Sequence, residues 1–302
     1  MSQTPSINFI TLPRNPNSIK THTQEINNIG NLIIIGTYIL YGTIRKVNIA
    51  QEELVMTKKY WYVIIVYVVM QLSIAGGVPL LLWLGIGEGM ENRIPYLIGL
   101  WAFISFTLAA IIICWMLRKE WKQEDFRGEP VSLSITVLWS MLGFPIALIG
   151  QAVAAMVQQQ LFGIEPGSQN TQQIMGFVSA FPLMIFAVAV AGPIMEEIIF
   201  RKIIFGAIYK RFNFAAGLVV SSLLFALVHQ DFKHLLIYFV MGGIFAFLYV
   251  KTKRIIVPII AHVGMNSFVV IVQFVFREDI ERYMQRMEEM QNNLPQFISF
   301  FF

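Results

Sequence analysis

Glu196, Glu197 and Arg201 stand in the stretch MEEIIFR, residues 195–201, at the end of a long apolar run. An ionisable group inside a membrane helix is costly and marks a functional site by default. Glu197 and Arg201 are four residues apart with the glutamate first, the favourable order for a helical ion pair, so each can neutralise the other. Glu196 is turned onto another face, because a helix rotates about 100° per residue. Two more polar pairs recur at helical spacing. FALVH sets Phe225 beside His229, and HVGMN sets His262 and Asn266 on one face of an apolar segment. A carboxylate, two imidazoles and an amide are the groups that acid–base chemistry on water would use. Each also has a plainer reading: Glu197 with Arg201 as a structural ion pair, Phe225 as core packing, a membrane histidine as a helix contact. Their concurrence on three neighbouring segments is harder to explain by packing. His234 lies next to Asp231 and Lys233 and reads as interfacial.

The elements that must position these groups are membrane helices. Of the 302 residues 56% are hydrophobic and 13% charged, with a mean hydropathy of +0.64, whereas soluble domains run about 45–50% apolar and about 25% charged. A span needs roughly 20 apolar residues, which predicts about seven: 60–84, 94–117, 132–156, 176–209, 214–230, 234–250 and 255–276. The net charge of +4 reflects Lys and Arg gathered in cytoplasmic loops, so nucleic-acid binding is disfavoured. The basic clusters are Lys58 and Lys59; Arg118, Lys119, Lys122 and Arg127; Lys210 and Arg211; and Lys251, Lys253 and Arg254. Their alternation predicts cytoplasmic entry before Tyr60. The single cysteine, Cys114, offers neither an intramolecular disulfide nor a cysteine zinc site.

Three regions follow: a polar N-terminal extension over 1–55, a transmembrane domain over 56–276, and an amphipathic tail over 277–302. The extension is Asn- and Thr-rich and does not resemble a folded domain; Met1 and Met56 both stand as candidate starts. Residues 31–44 are short for a span and read as frayed or interfacial. From the cytoplasmic turns, a rise of about 1.5 Å per residue puts Glu196 about 21 Å deep, His229 about 24 Å, His262 about 12 Å and Asn266 about 18 Å. These depths allow one intramembrane cavity.

EEIIFR resembles an EExxxR motif, FALVH an FxxxH motif and HVGMN an HxxxN motif, in the order found in the CPBP family of intramembrane proteases. This family is also called the CAAX prenyl protease 2-like or Abi family, and the resemblance covers about 176–276. It implies an all-α polytopic bundle with its cavity open toward the cytoplasm, and an endopeptidase acting on a membrane-associated peptide or protein. It further implies Glu196 as general base with His229 holding the water, and Asn266 with His262 donating to the oxyanion. Glu197 and Arg201 would hold the helix and tune the field, and Phe225 would restrict the His229 ring.

No serine or cysteine stands in the set with a base partner, so water is the expected nucleophile. Zinc is the rival, since Glu, His and His are legitimate ligands, but no compact zinc motif is present. No cofactor is expected; the partners are the substrate and the lipid bilayer. A small secreted signal or bacteriocin precursor is the favoured substrate class. The competing function is a non-catalytic membrane protein for bacteriocin immunity, regulation or transport.

Overall fold

The structure, a computed structural model, describes residues 57–122, 129–164 and 168–276, with 279, 282 and 286 beyond. The expectations for the N-terminal extension, the 31–44 stretch, the Met56 start and, those three positions apart, the tail lie outside the described residues.

Regular structure among the described residues is helical throughout. The first helix, α1 (Lys58–Leu72), starts where the Thr57 hydroxyl accepts from the Tyr60 amide. It meets α2 (Ile74–Trp83) at a 46° bend. Ser73 sits at that bend, donating to the Met70 carbonyl at 2.7 Å and accepting from the Trp101 indole at 2.9 Å. Trp101 belongs to α3 (Arg93–Leu117), so one hydroxyl both ends a helix and ties it to its neighbour. The helix α4 (Leu133–Phe162) is capped by Ser132 and closed by Gly163, whose φ of 65° suits a residue without Cβ. Ser168 caps the short α5 (Gln169–Ala180).

A composite helix, α6, follows from the pieces Met184–Phe186, Ala187–Ala191, Gly192–Glu196, Glu197–Phe205 and Gly206–Arg211, the second and fourth being π-helical. Then come α7 (Phe214–Val228), capped by Asn213, a 3-10 turn at Phe232–His234, α8 (Leu235–Thr252) and α9 (Ile256–Val275).

The expected segment 176–209 is therefore two elements. Pro182 lacks an amide hydrogen and pushes the residue before it out of helical space, and Phe181 is accordingly extended, at φ −139° and ψ 89°. Among the described residues four helices are long and apolar enough to cross a membrane: α3, α4, α9, and α8 with its preceding turn. The bent α1–α2 pair brings the number to five. Of the remaining expected spans, α6 is interrupted by its π turns and α7 has 15 residues. These two carry the EExxxR and FxxxH motifs.

The surface is apolar: Trp83 is 82% exposed, Met141 71% and Leu161 71%. Some of the charge, by contrast, is inside. Glu197, Arg201 and Lys202 on α6 are all buried, the reverse of a soluble protein and the pattern a lipid solvent selects. The chain is an all-α, multi-pass membrane helix bundle. Its core joins α1, α3, α6, α7, α8 and α9 through residues such as Tyr67, Ile113, Phe200, Phe225, Phe245 and Met265. α4 packs along α8 and α9, and α7 along α8. The last contact is unusually close: a Cβ built on Gly242 of α8 would lie 2.8 Å from the Ser222 Cα of α7. Only glycine admits that approach, and it brings the Gly242 carbonyl within reach of α6.

Candidate active site

The motif helix begins with a backbone irregularity. In α6 the Gly192 amide donates to the Ala187 carbonyl, one residue further back than in an α-helix. The Val188 carbonyl thereby loses its α-helical donor, and its π-helical donor would be Pro193, which has no N–H. Asn266 of α9 takes that place, donating from Nδ2 to the Val188 oxygen at 3.2 Å. Pro193 thus acts through the carbonyl it frees, and the π turn re-registers α6 just before its charges, as such turns often do at functional sites. Replacing Asn266 by Ala leaves that carbonyl unsatisfied and is expected to destabilise the protein by about 1–3 kcal/mol. Thermal unfolding of the solubilised protein would measure this.

Glu197 and Arg201 pair as their spacing predicts, Oε2 to Nε at 3.2 Å, with side chains 0% and 1% exposed. Arg201 also donates from Nη2 to the Gly242 carbonyl at 3.4 Å. Its Nη1 has no hydrogen-bond partner among the described residues. Aromatic faces occupy the guanidinium instead, with Phe225 at 4.2 Å and Phe245 at 5.3 Å from its carbon. Such contacts strengthen where water is excluded.

The other oxygen of Glu197 meets His262, Oε1 to Nδ1 at 2.8 Å. Against an ionised carboxylate Nδ1 carries the hydrogen, which leaves Nε2 as the nitrogen with an open lone pair. Nε2 lies 3.8 Å from Oε2 of Glu196. That separation exceeds a direct hydrogen bond and suits two groups sharing one water molecule. Of the two glutamates only Glu196 is open, its side chain 16% exposed where Glu197 is sealed. Neighbouring residues therefore divide the work: Glu197 orients an imidazole, and Glu196 faces accessible space.

His229 caps the end of α7. Its Nδ1 lies 2.7 Å from the Phe225 carbonyl, an acceptor only, so Nδ1 is protonated and Nε2 is again the free nitrogen. Phe225 touches three of the expected residues: its ring is 4.7 Å from that of His229, 5.9 Å from that of His262, and under Arg201. His229 interacts electrostatically with Glu196, His262 and Arg201. The structure thus brings Glu196, Glu197, Arg201, His262, Phe225 and His229 around one centre. Asn266 stands one helical turn beyond His262 on α9, with one amide hydrogen given to Val188 and a second remaining.

Two nearby features carry no sequence signal. Tyr67 of α1 is buried, sets its ring edge-on to Phe200 at 6.3 Å, and interacts electrostatically with Glu196. Two residues beyond His229, Asp231 accepts from the Ser168 hydroxyl at 2.6 Å and from His234 Nδ1 at 2.9 Å. Burial alone would raise the Asp231 carboxyl, but these hydrogen bonds outweigh it and hold it below the usual carboxylate range. His234, expected to be interfacial, is buried in this clamp.

Among the described residues no three His, Cys, Asp or Glu side chains group to hold a metal ion.

Residues 178–268 match the family described as Type II CAAX prenyl endopeptidase Rce1-like. The chain is 44% identical over 239 residues to YdiL of Bacillus subtilis, which carries the provisional name of a membrane peptidase; the match covers 78% of this chain and 97% of YdiL. It is 36% identical over 228 residues to MroQ of Staphylococcus aureus, named a membrane-embedded CAAX protease, covering 72% of this chain and 90% of MroQ. No solved structure matches the chain. All the expected site residues lie within 178–268, and the likeness to both relatives extends well beyond it.

Proposed function

Because the chain belongs to the Rce1-like CAAX endopeptidase family of membrane peptidases, we propose that it is an intramembrane endopeptidase whose attacking water is activated by Glu196. The observation that carries this reading is the approach of Glu196 to His262 at 3.8 Å, with the far nitrogen of that imidazole tied to a second carboxylate. Glu196 takes a proton from water as its oxygen attacks the scissile carbonyl carbon. The tetrahedral oxyanion accepts from the remaining Asn266 amide hydrogen. Collapse breaks the C–N bond, and the proton held by Glu196 passes to the leaving amine. His229, packed at the end of α7 against the Phe225 ring that also meets His262, is assigned to hold the water with Glu196.

The substrate class we assign is a small membrane-associated peptide, such as a secreted signal or bacteriocin precursor. Its relatives are bacterial, and bacteria offer few prenylated proteins.

We read the reaction as metal-independent. Glu197 and His262 are committed to each other, and Glu197 is further engaged by Arg201. Chelator treatment of active, reconstituted protein is expected to leave cleavage unchanged, with no stoichiometric zinc by elemental analysis. Zinc lost in parallel with activity would assign the chemistry to a metalloprotease instead.

A further inference from the structure

The imidazole of His229 sits at a helix terminus, where a side chain would ordinarily be loosely held. Gln230 turns the chain through a left-handed residue, φ 54°, the 3-10 turn Phe232–His234 follows, and α8 then runs back along α7. This path lays Tyr238 flat on the imidazole, with ring centroids 4.1 Å apart and planes at 25°. Phe225 approaches edge-on at 4.7 Å and 61°. One edge of the imidazole is also bonded, through Nδ1, to the Phe225 carbonyl. A half-turn of the ring, which would put Cδ2 where Nδ1 stands, must therefore break a hydrogen bond and slide one aromatic ring across another.

Tyr238 is itself held from outside the motif segments. Asn170 of α5 reaches its hydroxyl at 3.5 Å, a long contact. The turn that places it is pinned more firmly by the Ser168–Asp231–His234 clamp. The useful part of Tyr238 is thus its ring, and the hydroxyl is secondary.

We propose that Tyr238 is the positioning residue of His229: its ring fixes the imidazole with Nδ1 bonded to the backbone and Nε2 presented to the reaction centre. It acts through His229 and is not itself a catalytic group. This inference rests on the hydrolase reading for its functional consequence, and on geometry alone for the state of the ring.

The test uses the full chain in lipid nanodiscs, labelled with ¹⁵N-histidine, with the His229 signals assigned through His229→Gln. Wild type and Tyr238→Phe are expected to show His229 as a single Nδ1–H tautomer, and Tyr238→Leu a mixture. In cells at matched membrane levels, the yield of any wild-type-dependent peptide fragment should fall roughly 10- to 100-fold in Tyr238→Leu and stay within about twofold in Tyr238→Phe, the range expected when a reacting group is misplaced. Tyr238→Met serves as a second non-aromatic variant should the Leu protein not accumulate. A residue that only filled space would move stability without moving the tautomer. An unchanged tautomer, or an unchanged fragment yield, in the non-aromatic variants overturns the proposal. If wild type itself produces no fragment, the hydrolase reading fails, while the tautomer comparison still decides the geometric claim.

Discussion

Glu196→Gln is expected to lower cleavage about 100- to 10,000-fold, the usual contribution of a positioned general base, while the folded protein remains in the membrane. Gln keeps the shape and one acceptor oxygen, so the variant removes the basic carboxylate and little else. The partial exposure of Glu196 argues that the substitution is tolerated, since no buried ionic partner within hydrogen-bond distance is stranded by it. Cleavage assayed beside thermal unfolding separates the two effects. A variant that cleaves normally would mean that the carboxylate nearest His262 is not the base, and an unstable variant would mean that Glu196 holds structure.

Arg201→Ala should have the opposite signature. It leaves the Glu197 carboxylate buried at 0% exposure with its cationic partner gone, and breaking a buried pair from one side costs about 3–5 kcal/mol. It also strips the guanidinium from the faces of Phe225 and Phe245 and from the Gly242 carbonyl. Lys is not expected to rescue, because an ammonium lacks the flat surface those rings meet. The double variant Glu197→Gln with Arg201→Met removes both charges. It should recover much of the lost stability, because desolvating a pair is itself expensive, and the Gln carbonyl can still accept from His262. A double variant as unstable as Arg201→Ala would show that the pair is not the unit being lost. Unfolding temperatures in one detergent provide the comparison.

The chemistry-bearing residues were legible because each interrupts an apolar segment, and because charge and helical spacing are local properties. Glu197 with Arg201 is a four-residue relation, and the structure forms that pair. The boundary at Pro182 was also present in the letters, as a proline within the expected 176–209 span, yet hydropathy averaged across it. The π turns were not legible. They depend on which carbonyls find donors on other helices, and the partner of Val188 lies on α9, 78 residues away. The same holds for Tyr238, whose place over His229 follows from a left-handed Gln230, a conformation no propensity assigns to glutamine. His262 changed most: spacing paired it with Asn266, whereas the structure bonds it to Glu197, sets it 3.8 Å from Glu196, and engages Asn266 with a backbone carbonyl. The sequence showed which residues share a helical face, and tertiary contacts decided which of them meet.

The central claim is that Glu196 makes this membrane bundle a peptide hydrolase. Its most direct test is comparative peptidomics of cells expressing wild type or Glu196→Gln at equal membrane levels. The account predicts at least one peptide fragment that appears with wild type and is absent with the variant, and that fragment would identify the substrate. Identical peptide profiles from the two, with both proteins folded in the membrane, would contradict it.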